Sequence, residues 1–342
     1  MGKLRDIISS KQVQNVAKLL SANVVAQVIG LVVYPILSRM YAPEDFGLLN
    51  LFLSIGNVLV VLSLMDYYYA IVLPKQERHA VALVHVSSLV LLITVALVAL
   101  SVILAGPISA LFKSPHLEHY YWLMPIYILT MGAWNILNYW YIRQKQFGQI
   151  SQYLMSQSVL SAGGKIGMGY AGVLQGGMIY AVVVAPLLSL GANIVRNFRG
   201  ALQPLLRVSK ADMVEQSKQY RNFPCFVLPR SFLNVLAGQL PILLLTPFFG
   251  AKYVGLLSMA LLLGYTPIGT ITRAIYQVLY QHTTERVHAT QRIGGVFWRF
   301  VVWSSVIILP IFGGLFFVLP DITSWLLGEE WRVVGTYIRW ML

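Results

Sequence analysis

The sequence predicts an all-α polytopic membrane protein made of two pseudo-symmetric transmembrane helix bundles. Three observations lead there: scarce charge, apolar runs of spanning length, and a one-sided distribution of lysine and arginine. Of 342 residues, 57% are hydrophobic and only 11% charged. A soluble domain carries about 25% charged residues. So few charges cannot cover the water-facing surface of a chain this long; lipid is the solvent that suits it. The single cysteine, Cys225, excludes a disulfide framework and a cysteine-based metal site; at the start of an apolar run it reads as a small filler.

A span needs about 20 mostly apolar residues to cross about 30 Å of hydrocarbon. Uncharged runs of that kind cover 19–38, 46–65, 80–104, 120–141, 173–195, 231–251, 253–272 and 300–319. Residues 150–170 form a ninth run, interrupted by Lys165, and a tenth begins near Trp331. Trp122, Trp140, Trp298, Trp325 and Trp331 lie near run ends, as an interfacial aromatic belt requires. The first run is too long for a signal-peptide core and has no small-residue cleavage pattern behind it, so it reads as a retained span. Residues 1–18, with Lys3, Arg5, Lys11 and Lys18 among apolar residues, read as a basic amphipathic helix on the membrane surface.

Charge sets the orientation. With the N-terminus in the cytoplasm, 18 of the 25 lysines and arginines fall in cytoplasmic segments, five fall outside, and Lys165 and Arg273 lie within spans. This is the positive-inside pattern. It accounts for the net charge of +13 without a nucleic-acid partner. The longest loop, 197–224, is basic and cytoplasmic and reads as a solvated linker that touches anionic headgroups.

An internal repeat divides the chain. Asn23-Val24-Val25-Ala26-Gln27 in span one matches Asn234-Val235-Leu236-Ala237-Gly238-Gln239 in span seven. Phe46-Gly47-Leu48-Leu49 matches Val254-Gly255-Leu256-Leu257, and Ile108-Ser109-Ala110-Leu111-Phe112 matches Ile322-Thr323-Ser324-Trp325-Leu326. Three matches in order, at offsets of 211, 208 and 214, predict a six-span duplication. The first bundle then covers 19–196 (spans one to six). The second covers 225–342, with spans seven to nine, the start of ten, and the remainder of the repeat missing. Six spans per repeat give both copies one orientation, about an axis along the membrane normal.

The hairpin Ser38-Arg39-Met40-Tyr41-Ala42-Pro43-Glu44-Asp45-Phe46-Gly47 resembles the first hairpin of Wzx-type lipopolysaccharide or O-antigen flippases. So do Tyr220-Arg221-Asn222-Phe223-Pro224, with the following Leu228-Pro229, and Leu327-Gly328-Glu329-Glu330-Trp331. These flippases belong to the multidrug/oligosaccharidyl-lipid/polysaccharide exporter superfamily, and the resemblance covers nearly the whole chain. It implies two six-helix bundles facing a central cavity and alternating access between the membrane faces. It also implies a substrate: an undecaprenyl-diphosphate-linked oligosaccharide, flipped from the inner to the outer leaflet of a bacterial inner membrane. Membrane lipids and other polysaccharide assembly proteins are the further partners it implies. Family members have twelve or more spans, so a second half that stops at its fourth reads as truncated.

Charges inside spans are costly and usually face a cavity or a partner. Lys165, flanked by Gly163, Gly164 and Gly167, reads as a cavity cation for the substrate's diphosphate or sugar acids, or as a side chain snorkelling to the interface. Arg273 carries the same two readings. Arg39 either contacts substrate, caps the C-terminal dipole of the first span or pairs with Asp45. Asn23, Gln27, Asn234 and Gln239 hydrogen-bond either sugar hydroxyls or neighbouring helices. Pro35, Pro241 and Pro247 predict bent or broken helices at the same place. Under the repeat offset Asp66 falls opposite position 274, so Asp66 and Arg273 form a candidate gating pair between the halves.

No catalytic residue, metal site or cofactor is predicted. The histidines lack metal-ligand spacing, and neither a phosphate-binding glycine loop nor a Gly-x-Ser-x-Gly elbow occurs. A drug or cation antiporter of the same superfamily is the alternative transporter, though acidic groups within the spans would favour it and only Asp66 is present. A membrane glycan polymerase or ligase is the alternative from another class; the short outer loops at 105–119 and 320–330 count against it.

Overall fold

The computed structural model describes residues 24–341 apart from 26, 31, 207–208 and 289–293; between 265 and 312 it describes side chains only at 298, 302, 306 and 310. The amphipathic helix expected over 1–18 and the candidate Asn23 lie outside these residues, as does the side chain of Arg273. Among the described residues all regular structure is helical.

Helix α1 (Gln27–Leu37) ends in a turn at Ser38–Met40. Helix α2 (Pro43–Leu64) starts there for local reasons. Pro43 sits in its first turn, where a missing N–H costs nothing. Asp45 folds back so that its carboxylate accepts the Ala42 N–H at 3.1 Å. This bond answers one reading of Arg39: Asp45 serves the helix start. Helix α2 stops at Met65 and Asp66, both left-handed with φ of 45° and 56°.

Helix α3 (Glu77–Ser101) continues through a tight turn at Val102–Leu104 into α4 (Ala105–Leu111). The 35 residues reach about 52 Å at 1.5 Å per residue, well beyond the hydrocarbon core. The segment expected to be an outer loop over 105–119 is therefore mostly helix, since α5 (Pro115–Tyr121) follows. Helices α6 (Met124–Arg143), α7 (Phe147–Tyr170) and α8 (Gly177–Asn197) come next, with α7 packed along α8.

The 197–224 segment is more than a tether. It contains α9 (Lys210–Gln219), capped by the Ser209 hydroxyl and packed on α3. The Tyr67 hydroxyl donates to the Ser217 carbonyl at 3.2 Å, which ties α9 to the turn after α2. The Tyr220–Pro224 motif leads through a π-turn at Phe223–Val227 into α10 (Leu228–His288). Cys225, expected as a packed filler, is exposed there. Helix α10 keeps helical backbone angles through Pro241 and Pro247. Its break comes at Gly250, whose φ of 81° and ψ of 171° lie outside helical space. Glycine alone takes that conformation without strain. The break separates the two arms that correspond to the runs at 231–251 and 253–272. Helices α11 (Gly294–Leu327) and α12 (Arg332–Met341) complete the described chain.

Four stretches are long and apolar enough to cross a membrane: Pro43–Leu64, Glu77–Leu111, Gly177–Asn197 and Phe223–Gly264. The last contains both arms of α10 up to Gly264. Helices α6 and α7 have spanning length, but Asn135 and Asn138 in one, and Gln152, Gln157, Ser158 and Lys165 in the other, dilute their apolar character. The remaining expected runs, at α1, the end of α10 and α11, overlap residues outside the description.

Helix α2 is the hub. It packs on α3, α5, α6, α8 and, above all, along α10. Phe46, Leu48, Leu49, Leu51 and Phe52 are all buried. At the start of α2 the approach to α10 is backbone against backbone. A methyl group on Gly47 would occupy the place of the Ala251 carbonyl, and one on Gly255 would occupy the place of the Pro43 carbonyl. In lipid no hydrophobic force drives helices together, so such closeness depends on small residues. We expect Gly47→Ala and Gly255→Ala each to destabilise the protein by about 1–3 kcal/mol or more through overpacking. The check is the midpoint of thermal unfolding in detergent, with Gly163→Ala, where a methyl group meets nothing within 4 Å, as the neutral comparison.

Candidate functional site

Polar contacts lie at three levels along α2. At the Ser38 end, the motif hairpin and the Leu327–Trp331 motif grip each other. The Ser38 hydroxyl donates to the Leu327 carbonyl at 2.9 Å, and the Trp331 indole N–H donates to the Ser38 carbonyl at 3.0 Å. Trp331 is fully buried and meets Phe46 edge-on, ring centroids 5.0 Å apart. Arg39 is exposed and donates to the Trp325 carbonyl at 3.4 Å. It lines a cleft of about 430 Å³ with Tyr41, Asp45, Glu329 and Glu330. Ser324 and Arg332 hydrogen-bond Glu329 and hold its carboxyl below the usual carboxylate range. Lys252 and Glu44 form an exposed ion pair at 3.8 Å.

Halfway along α2, the buried Ser54 hydroxyl donates to the Gln239 side-chain oxygen at 2.8 Å. Of the uncharged candidates, Gln239 therefore makes an interhelical bond, while Gln27 and Asn234 are exposed. Lys165, on α7, is half-buried, and its carbonyl accepts the Tyr41 hydroxyl at 2.7 Å. That bond brings the backbone of α7 to the Ser38 end.

At the other end, Asp66 is 1% exposed in the turn after α2. The Ser231 hydroxyl on the first arm of α10 hydrogen-bonds its carboxylate. Its second oxygen, Oδ2, has no partner among the described residues. Three tyrosines crowd this end: Tyr68 and Tyr69 stand with ring centroids 4.2 Å apart, and each is 5.1 Å from Tyr139. Burial raises the Asp66 carboxyl above its ordinary value, and the Ser231 bond only partly opposes that shift.

The candidates thus fall at different depths instead of converging in one pocket. Arg39 and Lys165 belong to the Ser38 end, Gln239 to the middle, and Asp66 to the far end. Reading the sequence missed Ser38, Ser54, Trp331 and Ser231, which make the contacts between halves. Ser38 and Trp331 stand inside two of the quoted motifs, so a signal for them was present; Ser54 and Ser231 are isolated serines and gave none.

This fold and these contacts define a helical integral membrane protein packed around one central helix. Residues 36–335 match the polysaccharide biosynthesis protein family, and the chain belongs to that family. It is 22% identical over 310 residues to the succinoglycan biosynthesis transport protein ExoT of Rhizobium meliloti (strain 1021), a match covering 88% of this chain and 59% of that protein. The chain thus matches about three fifths of the length of this curated relative. No solved structure matches.

The raised Asp66 carboxyl has a consequence for stability. A carboxyl raised on folding penalises the native state above that raised value; the penalty fades as pH falls through it and is gone below the ordinary carboxylate value of about 3.9. Asp66→Asn should therefore melt higher than the parent at pH 7–8, and the two should converge towards pH 4. Thermal unfolding across that range checks this; a variant that melts lower at pH 8 contradicts it.

Proposed function

We propose that the protein moves a lipid-linked oligosaccharide, carried on undecaprenyl diphosphate, from the inner to the outer leaflet of a bacterial inner membrane by alternating access. The observation that carries this reading is membership of the polysaccharide biosynthesis protein family by a helical membrane chain. The relative named as a transport protein supports it. The protein acts as a transporter and not as an enzyme.

The contact at Gly47 supports a duplicated architecture. Gly47 meets the Ala251 carbonyl, and Gly255 meets the Pro43 carbonyl. The pairs 43/251 and 47/255 share one separation, the offset of 208 between the repeats. A contact in which each element offers the other the same two positions is the mark of a two-fold relation. Its axis would run between α2 and the second arm of α10, along the membrane normal. The bundles are 19–196 and 225–342, joined by the cytoplasmic segment 197–224.

The Ser38 end faces outward and the Asp66 end faces the cytoplasm, in keeping with the charge distribution. The outer clasp of Ser38, Leu327 and Trp331 is then a contact that must open for release. Lys165 and Arg39 serve the anionic part of the substrate, with Gln27, Asn234 and Asn23 on its sugar hydroxyls. Asp66 and Arg273 form the cytoplasmic gate; in the present arrangement Asp66 holds Ser231.

Two measurements test this. In a Cys225→Ser background, Gln146→Cys and Gly200→Cys should resist a membrane-impermeant thiol reagent in intact cells, while Leu174→Cys should react. Labelling at Gly200→Cys from outside overturns the orientation. In cells that depend on the protein for glycan export, Lys165→Ala should lower export about ten- to hundredfold, the effect of losing a charged contact worth about 1.5–3 kcal/mol. Lys165→Arg should be milder. Unchanged export in Lys165→Glu at normal protein level removes Lys165 from the site. Exchanging Asp66→Arg with Arg273→Asp should recover part of the export that either change removes alone; harmless single changes remove the gate.

A further inference from the structure

The segment between the halves brings together three metal-ligating side chains that no spacing in the sequence connects. His79 lies in the first turn of α3, while Asp212 and Glu215 lie in α9. One donor atom from each lies within 4.8 Å of the other two. We propose that these three residues form a binding site for a divalent first-row metal ion, of which Zn²⁺ is the representative, and that the ion pins α9 to the start of α3.

The donor set is one imidazole and two carboxylates, leaving a fourth position for water. Bonds of about 2.0–2.2 Å place tetrahedral donors about 3.3–3.6 Å apart. The observed separation of at most 4.8 Å exceeds that value by no more than about 1.5 Å, a difference of the size that side-chain rotation covers. The two elements are already held in register. The Ser209 hydroxyl accepts the Asp212 N–H at 3.4 Å, Tyr67 binds the Ser217 carbonyl, and α9 packs on α3.

Two further observations point to a cation. The chain carries a net charge of +13, and α9 itself contains Lys210 and Lys218. Yet among the described residues neither Asp212 nor Glu215 is in an ion pair. Arg78, beside His79, is turned to the Gln76 side-chain oxygen at 2.8 Å. Two like charges three residues apart on a helix repel, and among the described residues no ion pair offsets them. Secondly, Gln216 is 1% exposed, and both atoms of its amide lack partners. It follows Glu215 and lies one turn beyond Asp212, on the same face of α9. A metal site needs such a group to orient its ligands or its bound water.

The full chain, purified in detergent and stripped with a chelator, is titrated with Zn²⁺ by calorimetry and with Co²⁺ by visible absorption. One ion should bind per chain and raise the thermal midpoint. His79→Ala, Asp212→Asn and Glu215→Gln should each weaken binding by at least about tenfold and abolish the metal-dependent rise in midpoint. Glu44→Gln, outside the site, should bind as the parent does. His79→Cys should restore Co²⁺ binding with a thiolate charge-transfer band, which separates loss of a ligand from loss of fold. Zn²⁺ binding weaker than about 100 μM, or unchanged in all three variants, overturns the proposal. Because the readout is metal binding, it stands or falls independently of glycan export.

Discussion

The approach of α2 to α10 at Gly47 and Gly255 is the constraint on which the rest depends. Two helix starts can pass with carbonyl against Cα only where neither residue has a side chain. Once they do, the remainder of α2 is committed. Phe46, Leu48, Leu49, Leu51 and Phe52 are drawn into the packed centre, and Ser54 is carried to Gln239. The turn that follows α2 then delivers Asp66 to Ser231. The polar contacts along the interface are consequences of one crossing, set by two glycines and by the break at Gly250 that separates the arms of α10.

The two ends of that interface differ in kind. The Ser38 end is held by neutral hydrogen bonds to backbone carbonyls and by a buried indole. Such contacts hardly respond to pH and are satisfied at little cost. The Asp66 end holds a buried carboxylate, one oxygen of which has no partner among the described residues. A group in that position is expensive when charged and cheap when neutral.

The segment between the halves also changes meaning once folded. Its basic composition suggested a solvated tether. Its helix α9 instead docks on α3, with Gln216 buried and Tyr67 bonded to Ser217. Docking places a polar helix against the start of a spanning helix, and the carboxylates of the one meet the histidine of the other.

Composition was enough to determine the class of protein, because lipid leaves a chain so few alternatives: apolar runs of spanning length with few charges among them. The motif hairpins and the repeated glycine were legible for the same reason, since turns and close approaches require particular residues at particular places. Partnership was not legible. Whether Gln239 faced a sugar or Ser54, whether Asp45 paired with Arg39 or capped its own helix, and whether His79 stood alone all depended on residues up to 185 positions apart. Prolines at 241 and 247 promised a break that occurred at Gly250, because a neighbouring helix can accommodate a missing N–H while only glycine takes that backbone conformation freely. Local chemistry fixes what a residue can do. The crossing of helices, settled by van der Waals closeness between distant segments, decided what each one met.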